Sequence, residues 1–111
     1  MSIKWGEVDF DGPYAITKWD PPYRAGVYAI MIQQDPKNEP NTYTIIYFGV
    51  SGNMNERGFY KAHHKYDCWS KKAGSDDNIF IGVYLMSNST PEQRKDVESK
   101  LISQYKPSCN D

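Results

Sequence analysis

The sequence predicts an α/β fold: a small, mainly antiparallel three-stranded sheet flanked by helices, in the order β-β-α-β-α, behind an N-terminal arm. Three observations predict it. Residues 26–34 (GVYAIMIQQ) and 42–50 (TYTIIYFGV) are apolar runs rich in β-branched and aromatic types, separated by a Pro- and Asn-containing turn segment at 35–41. Residues 54–72 repeat with a helical period. Thr90-Pro91-Glu92-Gln93 has the chemistry of a helix start, with Thr90 as N-cap, Pro91 in the first turn and Gln93 able to reach back to the cap.

Taken in order, residues 1–24 read as an arm packed on the core. Gly12-Pro13 and Asp20-Pro21-Pro22 punctuate it and allow at most a short strand near Tyr14 to Trp19. Trp5 and Trp19 read as covers for a core edge, because large aromatics are usually packing residues. Residues 25–111 form the main domain. The first two strands are apolar on both faces, with Val27, Ala29 and Met31 set against Tyr28, Ile30 and Ile32, so helices are expected on both sides of the sheet. A hairpin through 35–41 brings Tyr28 close to Tyr47 or Phe48. A helix is expected over 54–72, a loop at 74–78, a strand over 79–86 and a last helix from Thr90 to just before Pro107, with Val97, Leu101 and Tyr105 facing inward.

At 111 residues the chain has room for one core. A net charge of −1 excludes a general affinity for polyanions, so any nucleic-acid surface must be a local patch. The strongest patch lies between Asn55 and Lys72, where Arg57, Lys61, Lys65, Lys71 and Lys72 face two acids, Glu56 and Asp67. Arg57, Lys61 and Lys65 fall on one helical stripe able to follow a phosphate backbone. No apolar run approaches the length of a membrane span, and the polar, Pro-rich start does not resemble a signal peptide. Cys68 and Cys109 read as separate thiols in a reducing cytoplasm, without a disulfide, and no CxxC pair suggests zinc.

Chemistry concentrates in five places: Gly26-Val27-Tyr28, Tyr47-Phe48-Gly49, Arg57, Glu98 and the terminal Pro107-Ser108-Cys109-Asn110. Cleaving a phosphodiester needs an activated oxygen, countercharge on the phosphate and help for the leaving oxygen. Tyr28 is the candidate base, although its ordinary pKa of about 10 must be lowered for that role. Arg57 can grip a phosphate with two donors. Glu98 can anchor Mg²⁺, which keeps several waters and needs few protein ligands. The competing readings are core tyrosines, a solvated arginine, and a Glu98 paired with Arg94 one helical turn away.

This ordered set resembles the GIY-YIG nuclease superfamily over residues 25–111. The resemblance implies a small stand-alone endonuclease that hydrolyses DNA, duplex or branched, with Mg²⁺ or Mn²⁺. It implies Tyr28 as base or water-positioning group, Tyr47 lining the site, Arg57 on the phosphate, Glu98 on the metal and Asn110 ordering the site from the chain end. Two departures stand out. Similar proteins often carry His or Tyr one turn after the arginine, where this chain has Lys61, so Tyr60, His63 or His64 is the candidate substitute. Tyr47 also follows Tyr28 at nineteen residues, a longer interval than usual, which the 35–41 segment absorbs. His63 and His64 are not expected to share a metal, because adjacent helix residues point about 100° apart. A targeting protein or a homodimer would supply whatever specificity the domain lacks. The alternative is a catalytically inactive domain of this kind that binds nucleic acid or protein.

Overall fold

The computed structural model describes residues 1–55 and 60–110. Strands β1 (Ser2–Trp5), β2 (Val8–Ala15), β3 (Gly26–Ile32), β4 (Thr44–Ser51) and β5 (Phe80–Leu85) are joined by helices α1 (Tyr66–Ala73) and α2 (Pro91–Tyr105). The strands make one sheet in the order β1-β2-β5-β3-β4, with every neighbouring pair antiparallel.

The expected three-stranded sheet is therefore incorrect; the sheet has five strands. The N-terminal residues, expected as an arm, supply the other two. Trp5 pairs with Val8 across a two-residue turn in which Gly6 takes φ 62°, a left-handed conformation that suits glycine. Gly12-Pro13 does not end β2. The register shifts between Asp11 and Tyr14, so the proline sits at an irregularity where its missing N–H costs no ladder bond.

β3 lies inside the sheet and is buried along its whole length. Its two faces feed two cores. Tyr28, Ile30 and Ile32 pack with Ile81 and Trp69 of α1, whereas Val27, Ala29 and Met31 pack with Phe10, Phe48 and Leu101 of α2. Trp19 lies against the first core, and Trp5 lies against the second, edge-on to Tyr105 at 5.4 Å. The start of α2 is as its sequence predicts. Thr90 Oγ1 accepts from the Gln93 amide at 3.2 Å, and the Thr90 amide donates to Gln93 Oε1 at 2.8 Å.

The helix expected over 54–72 is shorter, beginning at Tyr66. Local hydrogen bonds take the upstream amides instead. Asn53 N donates to Ser51 Oγ, Asn55 N to Asn53 Oδ1 and Lys65 N to His63 Nδ1, all alternatives to a helical ladder. Lys61 and Lys65 thus precede the helix, and the expected basic helical stripe is not built among the described residues. Arg57 lies outside the described residues.

The cysteines also depart from expectation. Cys68 and Cys109 form a disulfide, with an S–S distance of 2.13 Å and Cα atoms 5.8 Å apart. The bond ties α1 to the C-terminal tail, which runs along β4: Cys109 N donates to Ile46 O at 2.9 Å, and the Asn110 amide both accepts from Phe48 N and donates to Phe48 O, each at 2.9 Å. Among the described residues, no helix is long and apolar enough to cross a membrane.

The cross-link closes a loop with a sequence separation of 41. On chain-entropy grounds its reduction lowers stability by about 4 kcal/mol at most. Urea unfolding with and without a dithiol measures this; an unchanged midpoint would contradict the pairing.

Candidate functional site

The β3–β4 pairing brings the two tripeptides together. Tyr28 pairs with Gly49 and Ile30 with Tyr47, but Met31 pairs with Ile45, so Ile46 is the extra residue of a register shift. Tyr47 thereby shares the Tyr28 face, with the ring centroids 6.0 Å apart. Each tripeptide glycine has a steric reason. A Cβ on Gly49 would overlap Cζ and Oη of Tyr28, and one on Gly26 would overlap the Tyr84 carbonyl oxygen.

His63 completes this group. Its Nε2 lies 2.7 Å from Tyr28 Oη, and its Nδ1 accepts from the Lys65 amide at 3.0 Å. An Nδ1 that accepts carries no proton, so in the neutral ring the proton sits on Nε2 and is donated to Tyr28 Oη. The ring is held by Trp69 at 4.4 Å and by a stacked His64 at 4.5 Å. Burial first, then the charges of His64 and Lys65, push its pKa down to about 4. His63 is neutral at physiological pH, which this tautomer requires.

Burial pushes the Tyr28 hydroxyl far above its ordinary value, and Tyr47 and then Glu98 add to the rise. The Tyr47 hydroxyl is raised too, mainly by burial, although a hydrogen bond from Tyr28 pulls it down. The resting hydroxyl of Tyr28 is thus a neutral phenol that accepts from His63 and donates to Tyr47.

Glu98 enters from α2, which packs on the opposite face of the sheet. Arg94 is not its partner, because Arg94 Nη1 donates to Ser89 O at 2.7 Å and contacts Ser89 Oγ at 2.9 Å. No hydrogen bond or ion pair among the described residues holds the Glu98 carboxylate. Burial raises its pKa, and Lys95 pulls it down. Together with Tyr28, Tyr47 and His63, Glu98 lines an open cleft of about 590 Å³ that also takes in Ser51, Asn53, His64 and Lys95.

The remaining sequence candidates lie elsewhere. Tyr60 packs against Tyr66 at 6.1 Å, and the exposed Lys61 places Nζ 5.9 Å from the Tyr60 ring centre. Lys65 donates its amide to His63 Nδ1, and its charge helps to lower the His63 pKa. Lys71 and Lys72 are exposed in the last turn of α1, and Lys72 borders a different cleft with Gln33 and Asp77. Asn110 does not line the cleft; it fixes the strand that carries Tyr47. Sequence reasoning missed Ser51, Asn53 and Lys95 as lining residues, though Lys95 was legible three residues before Glu98. Comparison with known protein families, curated proteins and solved structures gives no match.

The His63 environment sets a pH dependence. The unfolded chain protonates His63 near 6.5 and the folded chain only near 4, so the unfolded state binds more protons within that window. Stability from this group falls as pH drops from 6.5 to 4. Glu98, raised by burial, acts in the opposite sense in both wild type and a His63→Gln variant. Thermal unfolding across this window is expected to slope less steeply with pH in His63→Gln; equal slopes would contradict the assigned environment.

Proposed function

We propose that the cleft hydrolyses DNA phosphodiester bonds with one divalent cation, Mg²⁺ or Mn²⁺. The observation that carries this reading is the 2.7 Å contact between Tyr28 Oη and His63 Nε2 beside a carboxylate, Glu98, that makes no hydrogen bond or ion pair with a described residue. The resemblance of Tyr28, Tyr47, Arg57, Glu98 and Asn110 to the GIY-YIG nuclease superfamily supports it.

The residues fit such a cation in one way. Among the described residues no three His, Cys, Asp or Glu side chains gather to cage an ion, which argues against a closed protein site. A single half-buried carboxylate in an open cleft suits an ion that keeps most of its waters. Glu98 would hold it. When bound, the cation supplies positive charge that offsets the phosphate and eases the proton off Tyr28.

The chain's own groups do the rest. Once its own proton has passed to solvent in the open cleft, the Tyr28 oxygen, steadied by the His63 Nε2–H, orients the attacking water and takes its proton, and the leaving oxygen is protonated from solvent. Tyr47 fixes the Tyr28 hydroxyl from the other side. Arg57 grips the scissile phosphate with two donors. Asn110 keeps β4 in the register that places Tyr47.

A second reading has one observation in its favour. The strongly raised proton affinity of Tyr28 suits a domain that binds nucleic acid or protein without cutting.

Plasmid and branched-DNA nicking with Mg²⁺ or Mn²⁺, running Glu98→Ala beside wild type, separates the two. The nuclease reading predicts cation-dependent cleavage by wild type and a loss of about 100-fold or more in the folded variant. Equal cleavage by both would overturn the role of Glu98. DNA binding by both without cleavage would favour the second reading.

A further inference from the structure

We propose that the Cys68–Cys109 bond is a redox latch on this cleft, opened by a dithiol reductant. The inference rests on the cleft being the functional site, and it concerns how that site is held rather than what it does.

The bond joins two segments that support the cleft from outside it. Cys68 precedes Trp69, which packs on His63 at 4.4 Å and on Tyr47 at 5.5 Å. Cys109 precedes Asn110, whose amide takes both backbone groups of Phe48, the residue after Tyr47. β4 is an edge strand of the sheet, and among the described residues these contacts and the Cys109–Ile46 bond pair with its outer side at Ile46 and Phe48. One disulfide therefore fastens the wall behind His63 to the strand that presents Tyr47.

The two cysteines differ in exposure. Cys109 is 1% exposed, whereas Cys68 is half-buried. A thiolate attacks at Cys68, forming a mixed disulfide there and releasing the Cys109 thiolate. The second thiol of the reductant then displaces Cys68. Two electrons pass to the protein, both cysteines become thiols after protonation, and the reductant closes into its own disulfide. The attack at Cys68 frees the tail in the first step. Three hydrogen bonds, Cys109 to Ile46 and Asn110 twice to Phe48, and the packing of Cys109 in the first core then hold it.

The test is amide hydrogen exchange by NMR, without DNA, on the oxidised protein and on protein reduced with dithiothreitol. Exchange at Phe48 and Cys109 is expected to rise by about tenfold or more on reduction, while Ile30 and Ile81 in the inner strands keep their protection. Cys68→Ser and Cys109→Ser are expected to behave as the reduced protein does. Unchanged protection at Phe48 and Cys109 would overturn the latch. So would a uniform loss of protection across the sheet, because the bond would then be holding the whole fold together. Neither result depends on cleavage, so the latch and the nuclease reading fail separately.

Discussion

The packing of Tyr28 over Gly49 is the constraint on which the site depends. It admits no side chain at position 49, so it fixes how β3 and β4 face each other. A slip of one residue would carry Tyr47 to the α2 face and away from Tyr28. The extra residue at Ile46 lies beyond Tyr47 and acts on the next stretch, where it lets both Ile46 and Tyr47 join the Tyr28 core while Ile45 pairs with Met31 and packs on the α2 side. In that register His63 Nε2 meets the Tyr28 oxygen, and the Lys65 amide selects the tautomer that donates to it.

The electrostatics follow from burial. A half-buried histidine with cationic neighbours stays neutral, and a buried phenol beside another phenol and a carboxylate keeps its proton. The cleft at rest thus sets the neutral Tyr28, Tyr47 and His63 beside one carboxylate, Glu98, with Lys95 lining the same cleft. Positive charge brought into it would bear most on Tyr28, whose proton is held chiefly by desolvation. The tail acts from outside the cleft, with Asn110 securing the β4 backbone and the disulfide securing the tail to α1.

Much of the inner structure was legible in the sequence. The two-sided apolar runs mark β3 and β4, and the Thr90–Gln93 box marks the start of α2 to the residue. The tyrosine pair follows from the hairpin. What was not legible had physical causes. Gly12-Pro13 reads as a breaker, yet an irregular register accommodates it within β2, so the five-stranded sheet was hidden. Side chains of Asn53 and His63 capture backbone amides that a periodic pattern assigns to a helix. The disulfide was missed because its cysteines are 41 residues apart and only the tail's course along β4 makes them neighbours. His63 stood among three candidates for one role, and folding the 60–65 segment as turns is what singles it out.

The measurement that bears most directly on the central claim is single-turnover cleavage of duplex and branched DNA by Tyr28→Phe beside wild type, with DNA binding measured in parallel. The substitution removes the one oxygen that His63 and Tyr47 hold and leaves the ring over Gly49. The account predicts unchanged folding and DNA binding with cleavage slowed by about 100-fold or more. Cleavage by Tyr28→Phe at the wild-type rate would contradict it.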